Sequence, residues 1–188
     1  MWWTMKTLVM LRDIFILFIL FAVCGWIYEV LLTLWAYGFF ENRGVLFGPW
    51  LPVYGFGGLV LYFVLRGAVK KPAKAWQTVI QIIITFISIC LITTVIELAA
   101  SYILELFGTD FRTLWNYSSE PLNFEGRVGI ISSLRFGVLG IFALYAAIPL
   151  WSKLIVIKHQ KPLTAVTVIT AALFITDVLA RIPLGSNL

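Results

Sequence analysis

Long apolar runs carry nearly all of this chain, and they constrain its fold more than any other feature. They lie at about Ile14–Tyr37, Leu51–Leu65, Trp76–Phe107, Val128–Trp151 and Leu163–Leu184. A backbone in hydrocarbon must satisfy its hydrogen bonds internally, so runs of roughly 20 apolar residues become membrane-spanning helices. The sequence predicts an all-α, polytopic helical membrane protein with about five transmembrane helices, organised as a single integral membrane domain over residues 1–188. The second run is short and is entered through a Gly/Pro-rich stretch. The third is overlong, so it should tilt, kink or project beyond the bilayer.

Composition excludes the soluble alternatives. The apolar share is 61%, only 12% of residues are charged, and mean hydropathy is +0.98. A soluble domain would be about half apolar and a quarter charged. The first apolar run is too long for a cleavable signal peptide, and no small-residue cleavage site follows it. Cys24 and Cys90 both fall inside apolar runs, and the one histidine, His159, lies in a basic loop. The sequence therefore predicts no disulfide, no metal site and no cofactor. The net charge of +5 collects beside helix ends, which points to the lipid bilayer and not to nucleic acid.

That collection sets an orientation. Lys6 and Arg12 precede the first run, Arg66, Lys70, Lys71 and Lys74 separate the second and third, and Lys153, Lys158 and Lys161 separate the last two. Positive charge marks the cytoplasmic side. The expectation is a multi-pass protein of a bacterial plasma membrane, with its N-terminus cytoplasmic and its C-terminus outside.

Charges inside the runs are the candidate functional residues. A charge at the helix centre costs roughly 3 kcal/mol on insertion scales, so it is kept where it pairs, meets water or works. With the N-terminus inside, Glu29, Glu97, Arg135, Asp177 and Arg181 all fall in the outer half of the membrane. Asp177 and Arg181 are four apart and can pair. Thr94, Glu97, Ser101 and Glu105 make a stripe at helical spacing, Gly25, Glu29 and Thr33 make another, and Ser132 shares a face with Arg135. Such stripes turn inward in a bundle. Glu29, Glu97 and Arg135 are expected to meet in one outward-facing polar cavity. The competing reading is a set of structural salt bridges.

The connections at that end add further candidates. Five glycines and two prolines fall within residues 44–58. A helix starting near Pro49 or Pro52 would present free N–H groups, and Arg43 could assist in holding an anion there. A tight packing turn explains the same composition. The stretch Gly108–Arg127 is long for a loop without clear structure, which suits a lid or binding element. Asn116, Asn123 and Arg127 could reach a cavity mouth, whereas Trp115 and Tyr117 suit an interfacial aromatic belt. The full candidate set for a bound ligand is Glu29, Asn42, Arg43, Tyr54, Glu97, Asn116, Asn123, Arg127, Arg135, Asp177 and Arg181. No residue is assigned a catalytic role.

Several stretches together resemble a known family. They are Gly25-Trp26-Ile27-Tyr28-Glu29, Asn42-Arg43-Gly44, Gly48-Pro49, Pro52-Val53-Tyr54-Gly55, Trp115-Asn116-Tyr117-Ser118, Asn123-Phe124-Glu125-Gly126-Arg127 and Ser132-Ser133-Leu134-Arg135-Phe136-Gly137. The pattern is similar to the family called putative ABC-transporter type IV, over roughly residues 14–150. The resemblance implies membrane transport and fixes no substrate or mechanism. No Gly-x-x-x-x-Gly-Lys-Ser/Thr loop is present, so an ATP-driven role needs a separate ATPase subunit. The leading expectation is a small transporter or permease-like subunit, completed as a homodimer or by a partner membrane or ATPase subunit. A membrane enzyme acting on a lipid or cell-envelope precursor is the second expectation, with Glu29, Glu97 and Asp177 as acids or bases and Arg43, Arg127 and Arg135 holding a lipid phosphate. It lacks a histidine base and a nucleophile motif. A non-catalytic assembly or sensor subunit is the third.

Overall fold

The computed structural model describes residues 2–67, 74–156 and 160–181. Lys70, Lys71, Lys158, His159 and the expected end of the last span beyond Arg181 lie outside the described residues. Those described form helices, loops and one isolated antiparallel bridge between Phe124 and Val128. The helices are α1 (Trp2–Tyr37), α2 (Pro52–Leu65), α3 (Ala75–Leu106), α4 (Ile130–Phe142), α5 (Ile148–Val156) and α6 (Gln160–Arg181).

Four segments are long and apolar enough to cross a membrane: Thr7–Tyr37, Ala75–Leu106, Ile130–Leu150 and Pro162–Arg181. Their large side chains face outward in number, among them Leu31, Ile83, Leu91, Val95, Val138, Ile169 and Leu179. Water would not tolerate so much exposed apolar surface, and acyl chains solvate it. The short second helix, α2, has 14 residues. At 1.5 Å per residue it is about 21 Å long, short of a hydrocarbon core about 30 Å thick.

Two helix extents differ from the sequence reading. α1 begins at Trp2, well before Ile14, because no Gly or Pro interrupts residues 2–24. Arg12 and Asp13 stay helical by pairing with each other at 2.6 Å, and buried Arg12 also donates to Thr164 Oγ1 of α6 at 3.3 Å. The fourth span is continuous but carries a wide π-turn at Ala143–Ala147 between α4 and α5. Pro149 cannot donate to the carbonyl four residues back, and its ring crowds that carbonyl. A wider turn just before it relieves the conflict.

Contacts divide the chain into two compact units, Met1–Leu59 with Lys158–Leu188 and Val60–Ile157. In the first, Ala22, Leu46 and Trp50 form a core against Phe174 and Val178. Phe18 packs edge-on to Phe56 and Phe174, at 4.9 and 5.6 Å between ring centroids. In the second, Leu61, Leu65, Ile89 and Leu144 form the core, and α3 packs along α4.

Candidate functional site

In the first unit the loop 38–51 is held by charged groups of α1 and α6. Glu29 accepts from the Tyr54 hydroxyl, and its other oxygen lies 3.8 Å from Arg43 Nε. Arg43 also pairs with Glu41 at 3.2 Å. The Asn42 side chain accepts from the Trp26 indole at 2.7 Å and donates to the Leu46 and Phe47 carbonyls. Glu29, Asn42, Arg43 and Tyr54 therefore gather around one loop base. Close approach makes this possible, since a Cβ on Gly25 would lie 2.2 Å from Tyr54 Cγ.

Asp177 and Arg181, whose spacing lets them pair, both reach the same loop. Asp177 accepts from the backbone N–H of Phe47 (3.0 Å) and Gly48 (2.8 Å) and from the Trp50 indole (2.7 Å). Arg181 donates to the Val45 carbonyl at 2.6 Å and lies over the Phe47 ring. Loop N–H groups have no helical partner, and a carboxylate is the stronger acceptor for them.

In the second unit the polar stripe of α3 grips the loop 107–129 and α4. Thr94 meets Ser133 at 2.6 Å, and buried Glu97 accepts from the Tyr117 hydroxyl at 2.8 Å. Arg127 is the hub, only 8% exposed. It donates to both Glu105 oxygens at 2.9 Å, to Ser101 Oγ at 3.2 Å and to Glu125 at 3.1 Å. Its guanidinium also covers the Tyr102 and Phe111 rings. The hydrogen bond that Arg127 donates to Glu105 is the main cause that raises its pKa above the ordinary arginine value.

Asn116 and Asn123 turn the loop back on itself. Asn116 accepts from the Ser118 N–H, while Asn123 accepts from Gly126 and donates to Glu120 and Ser118. Gly126 has φ +70°, and a Cβ there would meet Ser118 Oγ at 2.3 Å. The loop is thus an ordered cap and not an open strap. Beside it an open recess of about 410 Å³ is lined by Thr94, Ser133, Asn123 and Gly129 with the apolar Leu122 and Phe124.

Arg135 stands apart. Ser132, expected on its face, is buried and bonded to the Gly129 carbonyl, whereas Arg135 is exposed. Sequence reasoning also missed two partners. Tyr117 was read as an interfacial anchor and Trp50 as part of a turn. A buried Tyr O–H or Trp N–H needs an acceptor, and that signal would have found both. Among the described residues no cluster could hold a metal ion.

Apolar spans with charges committed to their loops define a multi-pass helical membrane protein. The chain belongs to the family described as Putative ABC-transporter type IV, which it matches over residues 16–182. This is an ABC-transporter-related membrane protein. No curated protein and no solved structure matches the chain.

Proposed function

We propose that the chain is the membrane-embedded, permease-type subunit of a bacterial plasma-membrane transporter, driven by a separate ATPase subunit, and that it forms one integral membrane domain. The positive-inside pattern puts its loops 38–51 and 107–129 outside, with the N-terminus cytoplasmic and the C-terminus outside. The observation that carries the reading is the open recess beside the ordered loop 107–129. Its volume suits a small-molecule site. Its polar lining comes from the neutral groups Thr94, Asn123 and Ser133, so we assign it an amphipathic, uncharged solute or solute moiety. The charges of α3 keep the loop 107–129 in place beside that recess.

A second reading, a non-catalytic assembly or sensor subunit, draws on the commitment of Asp177, Arg181, Glu105 and Arg127 to loop contacts. The enzyme reading gains no support, because Glu29, Glu97 and Asp177 serve as acceptors for Tyr54, Tyr117 and the Phe47 and Gly48 N–H groups. The test is to purify the tagged chain from its native membrane in mild detergent and measure ATP hydrolysis. Hydrolysis should co-purify. Phe124→Trp, which narrows the recess from a half-exposed position, should change the rate several-fold at an unchanged melting temperature. A preparation without hydrolysis, or a Phe124→Trp rate equal to the parent's, ends the permease reading.

A further inference from the structure

We infer that Arg135 on α4 is a binding site for the phosphate of a membrane phospholipid. Arg135 is exposed, and no hydrogen bond or ion pair reaches it among the described residues. Its neighbours on the same helical face are Ile131, Val138 and Phe142, which are 37%, 62% and 65% exposed. On a span this is a face that meets acyl chains. A cation there is kept where it pairs or where its side chain reaches the polar headgroup layer.

Depth selects the partner. Arg135 is five residues into α4, which starts at Ile130, so its Cα lies about 8 Å along the axis from the helix start. Helical side chains lean toward the N-terminus, here the end joined to the loop 107–129. A long arginine side chain leaning that way carries its guanidinium to headgroup level while its methylenes stay in the apolar layer. There it meets phosphate oxygens, which a guanidinium fork binds in bidentate fashion. The flanking Ile131, Val138 and Phe142 suit the acyl chains of the same molecule.

A second copy of the chain is the alternative occupant, and charge complementarity disfavours it. Glu29, Glu97, Glu105 and Asp177, the acidic side chains within the apolar helices beyond Asp13, each already have partners in their own unit. Pairing Arg135 with any of these four across an interface would break a contact within its own unit.

The experiment is native mass spectrometry of the full chain in detergent. Phosphatidylglycerol, a phosphate-free monoglucosyl diacylglycerol and inorganic phosphate are each titrated in, and the melting temperature is read alongside. The parent should retain the phospholipid over the glycolipid. Inorganic phosphate should not bind, since it lacks the chains that fill the apolar flanks. Arg135→Leu should bind phospholipid roughly tenfold more weakly, the loss expected for a charged hydrogen bond, and Arg135→Lys should recover part of it. Leucine extends an apolar face, so that variant should melt like the parent. Arg135→Gln, neutral and polar, should show the same loss should the leucine variant fold poorly. Equal phospholipid affinity in the parent and the uncharged variants overturns the site. So does equal retention of phospholipid and glycolipid, or tight binding of inorganic phosphate. A parent dimer that falls to monomer on Arg135→Leu overturns it in favour of a second copy.

Discussion

Tyr117 and Glu97 show how a buried carboxylate is kept inside an apolar span. Glu97 is 7% exposed, and its Oε1 takes the Tyr117 proton donor at 2.8 Å. Tyr117→Phe keeps the ring and deletes that donor, so it should cost about 1–3 kcal/mol, the penalty of an acceptor left short of a partner. Glu97→Gln keeps an amide oxygen facing the hydroxyl and should cost less. The double variant should lose less than the two single losses added together, because both act on one contact. Melting curves in detergent measure all three, and additive losses would show that Tyr117 and Glu97 act independently. The Arg127 hub should be insensitive to pH near neutrality. Its pKa is raised in the folded state, so its contribution is fully present below the unfolded value and fades only as strongly alkaline pH rises through the folded one. The sequence made these charges conspicuous, because ionisable residues in apolar runs need a reason. It hid their partners. Helical spacing reports neighbours three or four residues apart, whereas Tyr117 is 20 residues from Glu97 and Phe47 is 130 from Asp177. The same rule suggested an Asp177–Arg181 pair and could not register that an intervening loop offers better partners to both.

The packing of α1 against α2 depends on an absent side chain. A Cβ at Gly25 would stand 2.2 Å from Tyr54 Cγ, closer than real contacts allow, and the same ring delivers its hydroxyl to Glu29. Gly25→Ala should therefore push the ring away, loosen the Glu29 contact and cost about 1–3 kcal/mol, as overpacking does. Combining it with Tyr54→Ala should remove most of that extra cost. A full penalty persisting in the double variant would place the clash elsewhere. Element existence was legible because apolar length leaves the backbone no alternative to helix. Element ends were less so. α1 runs back to Trp2 because adjacent Arg12 and Asp13 neutralise each other, and hydropathy alone reads such a pair as a boundary. The π-turn before Pro149 was also invisible, since proline signals a disturbance and not its form.

At the scale of the whole molecule, α2 decides how many times the chain crosses. Four segments have the length to span, and α2 at about 21 Å falls short of a core about 30 Å thick. A bilayer can thin locally around a short helix at a modest cost per ångström, so length alone does not forbid a crossing. Charge favours one. If α2 crosses, Thr7 and Lys74, at the two ends of the α1–α2 pair, share a side, and the cations near both stay together. If α2 turns back, Arg66 and Lys74 join the side opposite Lys6 and Arg12, against the bias that orients membrane helices. Single cysteines at exposed Thr7, Lys74 and Asn116, on a background without Cys24 and Cys90, separate the cases with an impermeant maleimide. Asn116→Cys should label in intact cells. Thr7→Cys and Lys74→Cys should both label only after permeabilisation. Labelling of Thr7→Cys and Lys74→Cys from opposite sides would make α2 a re-entrant half-helix, return the C-terminus to the side of the N-terminus, and remove the argument that sets loops 38–51 and 107–129 outside together.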